Sequence, residues 1–257
     1  MGRIEAVLFD FDDTLIDWSQ NDAGGSAIYR RHIENVYQYL ADRFAMPESE
    51  TFFNCYQETI IAGWTEAKKT WAGVNFVAMM KQSLETIGLD LTLVDMDELL
   101  QAFDWQPVPG VVPFSDTVST LTAVQAQGYK IGLVTNAMMP MWMRDRELTA
   151  YGILHFFDAR VTSGDVGYMK PHPRIYQQVL DELDVSPERA LFVGDRPAND
   201  IAGANEVGLI SVLMDLPHTE YELDGVQPHY TIRRLGDLLP ILEALEREES
   251  HEKTGTK

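Results

Sequence analysis

Short apolar runs recur along the chain, and helical patterns separate them after residue 110. The runs are 4–9, 130–135, 159–162, 190–193 and 209–214. Between them, apolar residues return at helical spacing in segments 115–127, 140–150, 173–183 and 199–207. This alternation is typical of a parallel sheet with helices on both faces, because each pair of parallel strands needs a crossover connection. The sequence therefore predicts an α/β fold with a doubly wound parallel sheet.

Residues 18–105 interrupt this alternation. They predict four helices, at about 24–45, 48–63, 69–88 and 94–104, punctuated by Pro47, Gly63, Gly73 and Gly88. The Pro-rich stretch 106–113 that follows predicts a stiff linker. We therefore expect an α/β core formed by 1–17 and 106–247, an inserted all-helical cap over 18–105, and a flexible tail over 248–257.

Charge and cysteine content restrict the classes of partner. Forty acidic residues against 20 basic ones give a net charge of −20, which argues against nucleic acid polymers and anionic membranes, because both need a basic surface. Cys55 stands alone, so an internal disulfide and a cysteine-based metal cluster are excluded. The chain carries no apolar run of transmembrane length and no secretory signal pattern. We expect a cytoplasmic protein.

Polar residues follow four of the predicted strands. In chain order they are Asp10 with Asp12, Thr135 with Asn136, Lys170, and Asp195 with Asp200. The carboxyl ends of parallel strands meet at one edge of the sheet, so we expect these side chains to converge there. Asp10 and Asp12 are two positions apart, and alternate residues of an extended strand share a face. Both carboxylates can therefore point into the same space.

These side chains together suit phosphate chemistry. Carboxylates around Asp10 and Asp195 form a hard, oxygen-rich site of the kind that Mg²⁺ prefers. A threonine hydroxyl, backbone N–H groups and a lysine ammonium suit the oxygens of a phosphate. One carboxylate can then act as the nucleophile, and a second can protonate the leaving oxygen and later activate water.

The chain resembles the haloacid dehalogenase-like hydrolase superfamily in four motifs that occur in the same order, each after a predicted strand. They are Asp10-Phe-Asp-Asp-Thr14, Thr135-Asn136, Lys170-Pro171, and Gly194-Asp195 with Asn199-Asp200. The match covers the whole chain, and residues 18–105 correspond to the helical C1-type cap of that superfamily. The resemblance implies a Rossmann-like core beneath the cap.

The resemblance also implies roles for the motif residues. Asp10 is implied as the nucleophile and Asp12 as the general acid and base. Mg²⁺ is implied as the cofactor, held by Asp10, the backbone carbonyl of Asp12, and Asp195. Thr135 and Lys170 are implied as phosphate ligands.

The roles of three further motif residues are open. Asn136 either binds phosphate through its backbone or only forms a turn. Thr14 either supports the Asp10 loop by hydrogen bonding or touches substrate. Asp200 either takes part in the metal site or caps the helix that follows it.

The expected activity is Mg²⁺-dependent hydrolysis of a small phosphorylated metabolite through an aspartyl-phosphate. A phosphomutase and a 2-haloacid dehalogenase are alternatives with the same fold, although members that dehalogenate lack the second aspartate of the first motif. Outside enzymes, the alternatives are a phospho-accepting receiver and a catalytically silent scaffold. A receiver is about half this length and does not account for Asp195.

The sequence leaves the substrate and the oligomeric state open. Substrate specificity is expected to lie in the cap, where aromatic and basic side chains can reach a ligand. The candidates are Trp18, Tyr29, Arg31, His32, Lys68, Trp71 and Phe76.

Overall fold

A six-stranded parallel sheet forms the centre of the fold. The computed structural model describes residues 4–21, 25–219 and 221–254, and the side chains of all of these except 25–28 and 248–254. The strands are β1 (Ala6–Phe9), β2 (Ile16–Asp17), β3 (Val112–Pro113), β4 (Lys130–Thr135), β5 (Ala159–Thr162), β6 (Ala190–Gly194), β7 (Ile210–Met214) and β8 (Tyr230–Ile232). The six strands of the sheet follow the order β5-β4-β1-β6-β7-β8, and β2 pairs with β3 in a separate antiparallel ribbon.

The fold class predicted from the sequence is confirmed. Every pair of neighbouring strands in the six-stranded sheet is parallel, and β1, β6 and β7 are buried along their whole length. Such strands need apolar residues on both faces, which is why the sequence shows continuous apolar runs there. Strand β8 was not predicted, because it is a short edge strand in which only Ile232 is buried.

Residues 18–105, which we call the helical insertion, contain four α-helices in the part that the structure describes. They are α1 (Gly25–Ala41), α2 (Ser49–Thr70), α3 (Phe76–Thr86) and α4 (Met96–Ala102). The predicted helix end at Gly63 is wrong, since α2 continues to Thr70. The glycine serves close packing instead, because a Cβ there would lie 2.8 Å from the Met79 sulfur. Helix α3 begins at Phe76 rather than near residue 69, because the Asn75 side chain caps it by accepting from the Ala78 N–H.

The insertion contacts the core at other places besides the two points where the chain connects them. The β2–β3 ribbon joins its ends, with Ile16 opposite Pro113. A separate segment, 71–76, is bonded to core loops: the Gly73 N–H donates to the Gly167 carbonyl at 2.9 Å, and the Phe76 N–H donates to Met138 at 3.0 Å. Buried apolar residues of the insertion and of the sheet belong to one continuous cluster. The insertion is therefore held over the sheet, while its status as a separate domain stays a prediction.

Six α-helices accompany the strands in the described part of the core. They are α5 (Thr117–Ala126), α6 (Met141–Ala150), α7 (Ser163–Val166), α8 (Pro173–Leu183), α9 (Ala202–Val207) and α10 (Leu238–Thr254). Residues 248–254, predicted as part of a flexible tail, continue helix α10, and residues 255–257 lie outside the described residues. No helix in the described parts of the chain is both long and apolar enough to cross a membrane.

Candidate active site

The central strand β1 and its two neighbours bring three of the predicted motifs together. Strand β1 lies between β4 and β6, so Asp10, Thr135 and Asp195 come at adjacent strand ends. The Asp10 N–H donates to the Val193 carbonyl at 2.9 Å, which extends the β1–β6 ladder to the aspartate. The side chain of Asp10 is therefore fixed at the carboxyl edge of the sheet, where ligands of open α/β sheets bind.

Lys170 is almost completely buried, at 1% exposure, and its ammonium pairs with two carboxylates. Its Nζ atom lies 2.6 Å from Asp10 Oδ1 and 2.7 Å from Asp200 Oδ1. Burial opposes the charged form, but the charges of Asp10 and Asp200 outweigh it and raise the pKa of Lys170 above its usual value. Lys170 is therefore a fixed positive charge directly beside Asp10.

Side-chain amides hold the backbone of Lys170 in place. The Asn136 amide donates to the Lys170 carbonyl at 3.0 Å, and the Asn136 carbonyl oxygen accepts from the Lys170 N–H at 2.7 Å. The Asn199 amide donates to the same carbonyl at 2.8 Å. Three motifs are thereby tied together, and this contact gives the Asn136 side chain a structural role that the sequence did not indicate.

Asp10, Asp195 and Asp200 form a buried acidic cluster, with one carboxylate oxygen of each within 4.8 Å of the others. The two carboxylate oxygens of Asp195 are buried and have no hydrogen-bond partner among the described residues. Burial and the charges of Asp200 and Asp10 raise the pKa of Asp195 to about 9. Burial raises the pKa of Asp10 to about 6, against the opposing charge of Lys170. The cluster therefore carries more negative charge than Lys170 alone offsets.

Asp200 lies in a π-helical turn, Pro197–Ile201, rather than at the start of a regular helix. Its Oδ2 accepts a hydrogen bond from the Arg196 N–H at 2.9 Å, so one oxygen closes the turn while the other faces Lys170. Gly194 makes room for this side chain, because a Cβ at that position would lie 2.5 Å from the Asp200 carboxyl carbon.

The carboxylate of Asp12 lies outside this cluster and faces a different set of partners. Its Oδ1 accepts from the Trp18 indole N–H at 2.9 Å, and its Oδ2 accepts from the Arg144 guanidinium at 2.9 Å. Arg144 also donates to Glu147 at 2.7 Å, and burial raises the pKa of that glutamate against the opposing charge of Arg144. Asp10 and Asp12 thus stand in different electrostatic surroundings although they are two residues apart.

Two threonine hydroxyls at the site are buried without a hydrogen-bond partner among the described residues. They belong to Thr135, at the end of β4, and to Thr14, in the loop after Asp10. A buried hydroxyl without a partner is uncommon and calls for a ligand or a water. The structure thus leaves Thr135 free to bind an anion. The Thr14 hydroxyl makes no hydrogen bond to the Asp10 loop among the described residues, although support of that loop was one of the two roles left open for it.

A cavity of about 630 Å³ opens between the helical insertion and the core, beside Asp12. Asn136 and Arg144 line it on the core side, and α2 contributes residues of one face from Phe53 to Trp64. Most of the lining is apolar. The cavity therefore connects the polar strand ends with a hydrophobic wall supplied by the insertion.

A family model described as haloacid dehalogenase-like hydrolase matches residues 4–208. This span covers most of the chain and includes all four predicted motifs. The chain belongs to the haloacid dehalogenase-like hydrolases. The family resemblance stated from the motifs is confirmed, and so is the expectation of an enzyme of the hydrolase class.

Relatives of this hydrolase with named activities include two kinds of phosphatase. It is 38% identical over 225 residues to glyceraldehyde 3-phosphate phosphatase from Methanothermobacter thermautotrophicus, covering 87% of this chain and 91% of the relative. It is 35% identical over 245 residues to pyrophosphatase PpaX from Bacillus mycoides, covering 95% and 99%. Both alignments are long enough to include part of the insertion as well as the core.

Solved structures of the same family share the fold at lower identity. A phosphatase from Thermococcus onnurineus is 24% identical with a TM-score of 0.60, over 93% of this chain and 98% of that one. A 2-haloacid dehalogenase from Pseudomonas syringae is 23% identical with a TM-score of 0.62, over 94% and 98%. Structural similarity at this level of sequence identity supports a shared fold. It does not distinguish phosphate ester hydrolysis from dehalogenation.

The candidate substrate contacts of this hydrolase fall into three groups. Trp18 and Tyr29 line the cavity. His32 and Phe76 are buried inside the insertion, where His32 Nδ1 lies 2.9 Å from the Phe103 carbonyl oxygen. The remaining three are exposed and lie outside the described cavity lining: Arg31, Lys68 and Trp71.

Sequence reasoning missed Arg144 and Glu147, the buried charged pair on α6 that contacts Asp12. The one signal that could have pointed to them is their i, i+3 spacing on the helix that follows Thr135 and Asn136, since such residues are neighbours on a helix. Their burial depends on packing against the insertion, and the local sequence around them does not predict that packing.

Proposed function

We propose that this hydrolase is a Mg²⁺-dependent phosphatase that removes phosphate from a small phosphorylated metabolite through a covalent intermediate on Asp10. The observation that carries the proposal is the buried pair of Asp10 and Lys170 at 2.6 Å, with the carboxylate of Asp12 facing the adjoining cavity. The names of the phosphatase relatives support the same reaction.

In the first step, a carboxylate oxygen of Asp10 attacks phosphorus while the bond from phosphorus to the ester oxygen breaks. Lys170 and Thr135 bind the phosphate oxygens, since the ammonium offsets their charge and the unpaired hydroxyl donates to them. Asp12 gives a proton to the departing oxygen, so that an alcohol leaves rather than an alkoxide. The product of this step is the phosphorylated aspartate.

In the second step, water attacks phosphorus and the bond from phosphorus to the Asp10 oxygen breaks. Asp12, now a carboxylate, takes the proton from the water, and inorganic phosphate leaves with Asp10 restored. Trp18 and Arg144 each hold one oxygen of Asp12. The proton donor is therefore oriented by two contacts, one to each of its oxygens.

The acidic cluster fits a divalent cation of the Mg²⁺ type. Its donors are carboxylate oxygens, the ligands that Mg²⁺ prefers, and Asp195 has both oxygens buried without hydrogen bonds among the described residues. Asp10 and Asp195 would hold the ion together with the Asp12 backbone carbonyl, and Asp200 would stand behind them and orient Lys170. When bound, the ion would offset the charge of the phosphoryl group during its transfer.

Two other reactions remain alternatives within this family. A phosphomutase would return the phosphoryl group to its substrate instead of releasing it to water. In a 2-haloacid dehalogenase, Asp10 would attack the carbon atom that bears the halogen. That chemistry has no step that needs a proton donor at the position of Asp12.

The test is stoichiometric release of inorganic phosphate from a panel of phosphorylated metabolites. We expect release with Mg²⁺, loss of release with excess chelator, and poor support by Ca²⁺, whose larger and looser coordination shell disturbs in-line geometry. Asp10→Asn should abolish turnover. Asp42→Asn, at an exposed position of the insertion, is the matched control and should not change it.

Full activity in excess chelator would contradict the metal assignment. Isomerised phosphate esters without free phosphate would favour the phosphomutase. Release of chloride from 2-chloropropionate, with no phosphate released from any ester, would favour the dehalogenase.

A further inference from the structure

Six of the sixteen residues that line the cavity beside Asp12 are aromatic. They are Trp18, Tyr29, Phe53, Tyr56, Trp64 and Trp105. Aliphatic and methionine side chains complete the apolar wall: Ile60, Ile61, Val108, Ala137, Met138 and Met139. Apart from tyrosine hydroxyls and indole N–H groups, the polar side chains among the described lining residues are Asp12, Gln57, Asn136 and Arg144, and three of these lie at the core end.

We propose that the substrates of this hydrolase are phosphate monoesters of bulky aromatic alcohols, whose ring occupies this cavity while the phosphate lies at Asp10. The inference rests on the proposed phosphatase function and specifies its substrate class. It differs from the small polar sugar phosphate in the name of the glyceraldehyde 3-phosphate phosphatase relative.

The position of the cavity relative to Asp12 assigns it to the leaving group. Asp12 gives its proton to the ester oxygen, so the carbon attached to that oxygen must lie on the Asp12 side of the phosphate. The cavity begins there, with Asp12 and Arg144 in its lining. A leaving group that extends from phosphorus therefore enters the space between α2 and the core.

The charges near the cavity do not select a second anionic group. Arg144 is the basic residue in the described lining, and it is already paired with both Asp12 and Glu147. A carboxylate or second phosphate on the leaving group would lie beside a guanidinium whose positive charge is already offset by two acidic side chains. An uncharged leaving group needs no positive charge to compensate it.

The volume of the cavity also favours a bulky occupant. About 630 Å³ falls within the range of roughly 300–1,000 Å³ found for pockets that bury drug-sized ligands. A three-carbon polyol would leave most of the aromatic wall in contact with water. An aromatic ring would cover it and could stack on Trp64 or Trp105 with the offset or edge contacts that aromatic pairs prefer.

The first experiment compares 2-phenylethyl phosphate with glycerol 3-phosphate as substrates of the Mg²⁺-loaded enzyme. Both release a primary alcohol, so differences in leaving-group reactivity are small. Burial of a ring the size of a phenylalanine side chain predicts a kcat/KM about 10–100-fold higher for the phenylethyl ester. Binding is measured in parallel through tryptophan fluorescence, with the non-hydrolysable 3-phenylpropyl phosphonate and 3,4-dihydroxybutyl phosphonate.

Two exposed apolar residues provide a matched pair of variants. Ile61 lines the cavity and is 64% exposed, whereas Leu93 is 66% exposed and lies outside the described lining. Ile61→Gln should reduce the preference for the phenylethyl ester about threefold, and Leu93→Gln should leave it unchanged. Trp64→Gln, which removes an aromatic wall, should reduce it about tenfold.

Equal kcat/KM for the two esters together with equal binding of the two phosphonates would overturn the inference, while phosphate release would still uphold the phosphatase. A preference that Leu93→Gln reduces as much as Ile61→Gln would overturn the assignment to this cavity. Failure to release phosphate from any ester, with tight selective binding of the phenyl phosphonate, would refute the phosphatase function and uphold the aromatic specificity of the cavity.

Discussion

Replacing Arg144 by methionine removes the partner of a glutamate that is buried inside the protein. Glu147 is 1% exposed, and its carboxylate pairs with Arg144 at 2.7 Å. Breaking a buried ion pair by deleting one partner typically costs about 3–5 kcal/mol, because the remaining charge has lost its compensation. We therefore expect Arg144→Met to lower the free energy of unfolding by about that amount at pH 8.

The double variant Arg144→Met with Glu147→Leu separates the charge effect from lost packing. Both charges of the buried pair are then absent, and the new side chains are apolar. Asp12 also loses its contact with Arg144, but its side chain is 28% exposed and keeps the contact with Trp18. Substitution of a buried pair by apolar residues is often close to neutral, so the double variant should lie within about 1–2 kcal/mol of the wild type. It should be more stable than the single variant.

Urea unfolding in excess chelator measures these differences at pH 8 and pH 5.5. Burial already raises the pKa of Glu147, and loss of Arg144 raises it further. The single variant should therefore recover stability as the pH falls and the carboxyl takes up a proton. A loss below about 1 kcal/mol in Arg144→Met, or a double variant that is less stable than the single one, would refute this reasoning.

Three further predictions concern the acidic residues. Asp12→Asn should lower turnover roughly 10²–10⁴-fold on alkyl phosphates, measured by phosphate release; an unchanged rate would contradict its role as proton donor. In the metal-free protein the pKa of Asp195 is raised to about 9, so Mg²⁺ binding must displace a proton at lower pH. The dissociation constant, measured by calorimetry, should fall about tenfold per pH unit from pH 6 to 8, whereas a pH-independent constant would argue against Asp195 as a ligand. Gly194→Ala should displace Asp200, whose carboxyl carbon lies 2.5 Å from the new Cβ, and reduce kcat/KM at least tenfold; wild-type kinetics would show that Asp200 does not orient Lys170.

The sheet could be predicted from the sequence because its strands are buried on both faces. Strands β4 and β5 match the predicted apolar runs residue for residue, and β6 and β7 differ by one residue. The motif residues at their ends could be predicted to converge for the same reason, since a parallel sheet brings its carboxyl ends to one edge. Where a strand is buried on both faces, its local sequence was therefore sufficient to predict it.

The insertion and the surroundings of Asp12 depend on contacts that the local sequence does not express. Gly63 suggested a helix end, but it lies inside α2, where Met79 packs closely against it. Arg144 is charged and would ordinarily be expected at the surface, yet the insertion covers it. The contact between Trp18 and Asp12 depends on how the loop after β2 folds back, which spacing alone does not indicate.

The central claim is that Asp10 carries the phosphoryl group during turnover. Mixing the enzyme with a substrate radiolabelled at phosphorus, quenching with acid within one turnover, and mapping the labelled peptide tests it directly. We predict an acid-stable, hydroxylamine-sensitive acyl-phosphate at Asp10, absent in Asp10→Asn. Phosphate release at the wild-type rate with the label on another residue, or with Asp10→Asn fully active, would contradict the account.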